Sequence, residues 1–546
     1  MIPGVQDAAD AGEWCSQLGG RVGSDGAKIM GVPIGEETFV RSYTDQKIRQ
    51  LKEEYAAIAE LQNPAMEIQL VRAVMAYKVN HVLRARTRTV LADLIRRHDD
   101  LQLKALMSTL CLADDTAWSE ASRLIRRLPQ RAGGLGIPSA ADIADAAFTG
   151  ATLLIPELLS RLLGPAVEVP VAAEVRDYLG RWDAECSSNS LRTPSIGEHP
   201  RQASRHRQQL LSTGESRRLE RRMGEIAAAD RRLGAHWSSV RADRVGCAGF
   251  VGDIGSWQED RYHNTHYPDD DVGRAYRVGL ARYLCLPLCE AASLCRGCGE
   301  AALDPYGDHA LVCSKGRGGL MGAWKKARHD GARNILVRLG KAAGLREGAD
   351  MDVEVPYLFT RYRPSDIRVR IRPGGQDMHF EDSGANGFEL PGAAPSADTA
   401  FKDVAYDVTI AATQTFNNGQ YGHSIATRGP GTEAKAAIES KIAGYRAALA
   451  DVQPLTNRRT KFVVLAFESS GWTDSTVQRL VNTWEQQASR RLGPDRRWSP
   501  AGSSTRHELS SEIQYWNSVS LILRLGEALW VSKSPYLDDG WPSFGR

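Results

Sequence analysis

The sequence predicts a multidomain protein of the α and α/β classes, with a helical bundle first, a small cysteine-rich module past the middle and an α/β domain towards the C-terminus. Three observations carry this. Helical periodicity dominates up to about residue 112, four Cys and His residues crowd between Cys295 and Cys313, and strand-type alternation interleaved with helical stripes begins near Arg363.

Composition sets the limits. A chain of 546 residues holds about two to four domains, and its apolar content suffices for real cores. A net charge of +3 with a pI of about 8.3 is too mild to require a nucleic-acid partner by itself. The amino terminus is polar and lacks a signal-peptide core. The most apolar stretch, Ala151–Ala172, is broken by Glu157, Arg161, Glu168 and three prolines, which argues against a membrane span. Nine cysteines, an odd number that clusters between Cys285 and Cys313, fit a reducing compartment and metal binding better than a disulfide framework.

Taken in order, Lys28–Gly35 reads as a short strand running into a turn, and helical patterns follow at Tyr43–Glu60, Met66–Arg86 and Leu91–Leu112. A glycine-rich loop, Gly133-Gly134-Leu135-Gly136, closes the bundle. Between Ser187 and Arg244, arginines such as Arg201, Arg205, Arg217, Arg218, Arg221 and Arg222 are interspersed with Glu215, Glu220 and Glu225. That pattern is either a solvated helix laced with i,i+4 pairs or a basic linker touching a nucleic-acid backbone. Tyr267-Pro268-Asp269-Asp270 imitates a polymerase metal turn, but Pro268 and its polar flanks make it a plain turn.

Cys295-x2-Cys298-x10-His309-x3-Cys313 supplies the four N/S donors of a tetrahedral zinc site, two of them from one tight turn. Asp308 stands next to His309 and would orient its imidazole, while Cys285 and Cys289 are competing ligands. The plainer alternative is buried free cysteines near a loop histidine.

A helix at Leu320–Leu339 carries Arg328-His329-Asp330, residues suited either to a phosphate contact or to packing. The strand Met351–Phe359 sets Glu354 on the side of Asp352. In Ser365–Ile371, Ile367, Val369 and Ile371 oppose Asp366, Arg368 and Arg370. A strand at Lys402–Ala411 repeats the device, with Val404, Tyr406, Val408 and Ile410 opposing Asp407 and Thr409. Loops rich in Gly and polar residues, Gly374–Asp398 and Asn417–Pro430, interrupt the sequence of elements. The helix Thr432–Ala450 has the stripe Ile438, Ile442, Tyr445 and Leu449, with Lys441 at its edge. A strand at Lys461–Phe467 and helices at Asp474–Leu492 and Arg506–Leu529 complete the order, the last amphipathic through Trp516, Leu521, Leu525 and Leu529.

Two carboxylates on neighbouring strands with a lysine reaching in from the next helix suit metal-dependent phosphodiester hydrolysis. The acids hold Mg²⁺, which lowers the pKa of the attacking water, and the lysine offsets charge developing in the transition state. The alternative is two solvated strand-edge acids and a surface lysine.

The order helix, three strands, helix, strand, with Asp366 and Asp407, resembles the PD-(D/E)xK restriction-like nuclease fold with a mixed central sheet. One position departs from it, because Thr409 stands where that fold usually has lysine. In the restriction-like endonucleases of non-LTR retrotransposons the lysine comes from the following helix with a tyrosine one turn on, and Lys441 and Tyr445 match that variant. Lys28–Leu163 is similar to the region after the palm, including the thumb, of a non-LTR reverse transcriptase, and the Cys-Cys-His-Cys segment resembles the knuckle that precedes the endonuclease.

The resemblance implies a thumb-like helical region over 1–165, an Arg-rich linker over 166–280, a zinc knuckle over 281–318, a restriction-like endonuclease over 319–530 with loop insertions at 373–400 and 415–431, and a tail at 531–546. It implies structural Zn²⁺, catalytic Mg²⁺, a DNA target, element RNA as a possible partner, a nuclear location and no membrane association. Asp366, Asp407, Lys441, Tyr445 and Glu354 form the expected catalytic set, and Arg328, His329, Arg363 and Arg368 the expected nucleic-acid contacts. The expected activity is Mg²⁺-dependent nicking of target DNA, and the rival expectation is an inactive nucleic-acid-binding relic. The chain has no recognisable polymerase palm, so it looks like a 5′-truncated element or a gene model beginning inside one, and reverse transcription is not expected from it alone.

Overall fold

A hairpin pivoting on Gly31, whose φ of +84° suits glycine, opens the described part of the chain. The computed structural model describes residues 21–23, 25–29, 31–153, 155, 173–186, 207–242, 272–289, 294–296, 298–301, 303–313, 320–354, 365–370, 387–389, 403–411, 416–417, 420–421, 431–449, 460–470, 473–492 and 505–525. Two units emerge. One comprises Met1–Thr109, Arg126–Pro129 and Gly136–Met223, the other Leu110–Ile125, Gln130–Leu135 and Gly224–Arg546.

The first unit begins with an antiparallel meander, β1 (Arg21–Gly23), β2 (Gly26–Ile29) and β3 (Val32–Gly35). Helices α1 (Glu37–Ala59), α2 (Pro64–Ala73), α3 (Asn80–Leu83) and α4 (Ala92–Thr109) follow. The single helix expected over Met66–Arg86 is broken by a 3₁₀ turn at Met75–Tyr77. In that turn the Met75 carbonyl accepts from Lys78 N at 3.2 Å and lies 3.2 Å from Nε2 of the fully buried His98. After α5 (Glu120–Arg127) comes α6 (Ala140–Thr152), whose first amides are capped by Ser139 and by Asp99, which accepts from Ala140 N at 2.7 Å. Helices α7 (Ala173–Cys186) and α8 (Arg207–Ala229) pack on α6 through Ala146, Val175, Tyr178, Trp182 and Leu211.

In the second unit, α9 (Arg231–Ala242) and α10 (Val272–Tyr283) grip the glycine-rich loop. Trp237 Nε1 donates to Ala132 O at 3.1 Å and Tyr283 OH to Gly133 O at 2.9 Å. Next come α11 (Asp308–Val312), α12 (Leu320–Ala343), β4 (Met351–Val353), β5 (Ile367–Arg370), β6 (Gly387–Glu389) and β7 (Asp403–Ala411). The hairpin β8 (Phe416–Asn417) and β9 (Gln420–Tyr421), α13 (Thr432–Leu449), β10 (Thr460–Glu468), α14 (Ser475–Leu492) and α15 (Thr505–Leu525) complete it.

The main sheet is mixed and five-stranded, in the order β4-β5-β7-β10-β6. Among the described residues of this sheet only β7 and β10 pair as parallel strands, and α13 lies in the crossover that such a pair requires. Alternation divides the faces. Tyr406, Val408, Val463, Leu465 and Phe467 meet α12, α14 and α15, while Ala405, Phe462, Val464 and Ala466 meet Ala434, Ile438 and Ile442 of α13. With both faces covered, β10 reads as an unbroken apolar run rather than an alternating one. Trp484 anchors the first layer, edge-on to Tyr406 with centroids 6.3 Å apart, and truncating it to alanine would cost about 3–5 kcal/mol.

Two further expectations need correction. The insertion expected as loop over 373–400 contains the edge strand β6, because Phe388 packs on Phe462 at 5.2 Å and a Cβ on Gly387 would meet Phe462 O at 2.6 Å. Likewise the final helix does not bury one apolar stripe. Polar residues of α15 lie inside, where Gln514 Nε2 donates to Ser470 O at 2.7 Å and Asn517 Nδ2 to Ser469 O at 2.7 Å, satisfying a turn that would otherwise be costly to bury. Among the described residues no helix is long and apolar enough to cross a membrane.

Candidate functional site

Asp366 and Asp407 come together because β5 and β7 are antiparallel neighbours with Ile367 opposite Tyr406. Asp366 stands one residue before β5, and its backbone N donates to Tyr406 O at 2.8 Å. Its Oδ2 accepts from Val408 N at 2.7 Å and lies 3.0 Å from His329 Nε2. Lys441, on α13, donates to Asp407 Oδ2 at 2.6 Å and reaches Val408 O at 3.4 Å. The two carboxyls are close enough that the Asp366 charge acts on Asp407.

Burial pushes the Asp407 carboxyl up to about 6; Lys441 opposes that rise and the Asp366 charge adds to it. For Asp366, burial also pushes upward, but the contact with His329, the Val408 amide and the Lys441 charge outweigh it and hold the carboxyl below its ordinary value. Two carboxylates pushed apart in this way form a site with one readily protonated and one firmly ionised member. Tyr445, one turn beyond Lys441, packs its ring tilted against Phe462, with centroids 4.8 Å apart. Burial, then the charges of Asp407 and Asp366, raise its phenol well above the usual range, so it stays protonated.

The side chains of other expected residues have partners outside the pair of aspartates. Glu354 follows β4 at φ +49°, exposed, and its carboxylate pairs with Arg333, which also meets Asp330 at 3.3 Å. Arg328 is buried and donates to Asn517 Oδ1 at 2.6 Å, and burial lowers its guanidinium to about 10. Arg368 donates to the buried Asp403 at 2.5 Å. Arg363 lies outside the described residues.

The contact of His329 with Asp366 was not anticipated. A signal for it exists in the sequence, since His329, Ala332, Leu336 and Leu339 form one helical stripe that continues the sheet-facing side of α12 to its N-terminal end. Burial pulls the imidazole pKa down, but the hydrogen bond and charge of Asp366, then those of Asp330, carry it above the ordinary value.

A second constellation lies around α11. Donor atoms of Cys295, Cys298, His309 and Cys313 all fall within 4.8 Å of one another, and Cys298 Sγ is 3.5 Å from His309 Nε2. Ligands about 2.3 Å from a tetrahedral zinc stand roughly 3.8 Å apart, so this donor set fits that ion. Burial would raise the Cys298 thiol, yet the Ala301 and Glu300 amides, His309 and Cys295 lower it to about 6. The cluster excludes Cys285 and Cys289.

Asp308 does not orient the His309 ring. Its buried carboxylate accepts from Arg232 Nε at 2.7 Å and from Arg282 at 2.5 Å. Asp304 takes over the ordering of the loop, with Oδ2 accepting from His309 N at 2.8 Å and Oδ1 from Asp308 N at 3.0 Å. An aspartate followed by Pro305 and a turn glycine was the available sequence signal.

No protein-family model matches the chain, and no curated protein matches it.

Proposed function

We propose that the second unit is a metal-dependent DNA endonuclease of the restriction-like kind found in non-LTR retrotransposons, preceded by a structural zinc knuckle. The observation that carries this reading is the buried Asp407 clamped by Lys441 at 2.6 Å beside Asp366, on adjacent strands of a mixed sheet. Asp366 and Asp407 would hold Mg²⁺, which supplies Lewis-acid polarisation of the phosphate and a water acidic enough to attack near neutral pH.

The chain's own residues do the rest. His329 and the Val408 amide fix the rotamer of Asp366, so its free oxygen has a set direction. Lys441 offers a cation beside the scissile phosphate and stabilises charge that grows there. Tyr445, held against Phe462, presents a protonated hydroxyl on the same side of α13. Cys295, Cys298, His309 and Cys313 would hold Zn²⁺ and fix the segment that precedes α12. The DNA target, element RNA as a second partner and a nuclear location belong to the same proposal.

A second reading, a non-cleaving nucleic-acid-binding relic, draws on Thr409 at the strand position where restriction-like folds usually carry lysine. Incubating purified protein with supercoiled plasmid, with and without Mg²⁺ or Mn²⁺, decides between them. Nicking that Asp366→Ala abolishes while binding persists supports the nuclease; wild-type protein that binds DNA and never nicks it supports the relic.

A further inference from the structure

The helical unit contains a cavity of about 150 Å³ that the nuclease reading does not use. This is many times the ~10–15 Å³ that one water needs. Helices α6, α7 and α8 wall it, and Arg88 contributes from the segment after α3. Close approach of α8 depends on Gly214, where a Cβ would lie 2.2 Å from Trp182 Nε1.

Most of the charge in the wall is already matched. Asp142 is held bidentately by Arg127. Glu215 accepts from Tyr178 OH at 3.0 Å and from Arg218 Nε at 2.9 Å. What remains is a surplus of donors. Arg88 and Arg181 converge on one oxygen, Asp145 Oδ2, at 3.5 and 3.7 Å, distances longer than a good hydrogen bond. Each guanidinium carries five N–H donors in a planar fork. Trp182 also lines the cavity; it is 4 % exposed and its indole N–H has no hydrogen-bond partner. A buried unpaired donor is costly, and an acceptor bound beside it would relieve that cost.

We propose that this cavity binds a phosphate group, with Arg88 and Arg181 chelating its oxygens and the Trp182 N–H donating to it. Arg–phosphate chelation by two forks is among the strongest of polar contacts, and a tetrahedral oxyanion offers enough acceptors to serve three donors at once. Asp145 holds the two arginines in place until the phosphate displaces it. The phosphate is either free or part of a nucleic-acid strand, and both sources present the same oxygens. The proposal is independent of the nuclease reading.

The test titrates inorganic phosphate into full-length protein by calorimetry and follows a labelled single-stranded oligonucleotide by anisotropy. Arg88→Ala with Arg181→Ala should weaken phosphate binding at least tenfold, and Trp182→Phe, which keeps the ring and loses the N–H, should weaken it severalfold. Asp145→Asn should tighten it severalfold by releasing both arginines, an effect opposite to that of simple destabilisation. If phosphate competes with the oligonucleotide and the double variant weakens both, a strand is the source. When only phosphate binding responds, the free ion is. No phosphate binding by the wild type, or binding unchanged in the double variant and in Asp145→Asn, overturns the proposal. Thermal melts of each variant identify any that fails to fold, and plasmid nicking should be retained throughout.

Discussion

His329 Nε2 lies 3.0 Å from Asp366 Oδ2, while its other ring nitrogen, Nδ1, is 3.3 Å from Asp330 Oδ1. An imidazole held between two carboxylates limits the rotation of both. In the nuclease reading, His329→Ala leaves both metal ligands in place but frees Asp366 to rotate. Nicking should fall on the order of 10–100-fold, the usual effect of removing a group that orients a ligand. His329→Gln, which can still donate to Asp366, should recover part of the loss. Equal loss in both variants, or none, would count against the positioning role.

Lys441 and Asp366 should fail differently. Asp366→Ala removes a metal ligand, so nicking should disappear while DNA affinity, set by other cations, changes little. Lys441→Ala should cost on the order of 10²–10³ in rate, as loss of one transition-state donor does. It also removes the cation that opposes the burial of Asp407, so the Asp407 carboxyl should titrate higher still. Tyr445→Phe tests the hydroxyl alone, since the ring keeps its contact with Phe462. Rates measured on one plasmid substrate, alongside anisotropy for binding, separate these outcomes.

Much of this site was legible in the sequence, for a specific reason. Strand alternation has a period of two, so the sequence assigns Asp366 and Asp407 to the polar sides of their strands, and the stripe of α13 places Lys441 at its edge. What could not be read depended on residues distant in sequence. Asp308 is claimed by Arg232 and Arg282, 76 and 26 positions away. Similarly, the polar side of α15 is internal because Ser469 and Ser470 present carbonyls to it. β6 is three residues in a Gly/Pro-rich stretch, too short for a periodicity to register.

Zinc content tests the knuckle directly. Purified protein should hold about one zinc, lost on Cys298→Ser and retained on Cys285→Ser, because Cys285 is outside the donor cluster. Metal analysis after dialysis is sufficient, and zinc that vanishes with Cys285→Ser would require a different ligand set.

Asp308 carries the next prediction. Asp308→Asn leaves Arg232 and Arg282, both buried, without the carboxylate between them. Losing one member of such a buried cluster costs about 3–5 kcal/mol, which thermal or urea unfolding would register as a large loss. The zinc ligands are untouched, so metal content in the folded fraction should persist.

Acid sensitivity should be traceable to His236. Its ring is buried, with Nε2 2.8 Å from Tyr283 O. Burial first, then the charges of Arg232 and Arg282, lower its pKa to about 3 despite Asp308. The unfolded chain takes up the proton near the ordinary value of about 6.5, so between about pH 6.5 and 3 the unfolded state binds more protons than the folded one. Stability from this group is therefore complete above about 6.5 and falls as the pH is lowered through that window. At pH 5 the loss is about 2 kcal/mol relative to pH 7, since each unit of difference corresponds to about 1.4 kcal/mol. His236→Gln can still donate to Tyr283 O but has no proton to gain. Its unfolding free energy should change less between pH 7 and 5 than that of the wild type. Zinc release in acid affects both proteins alike and cancels in the comparison. Identical pH slopes for the two would mean that His236 titrates normally in the folded protein.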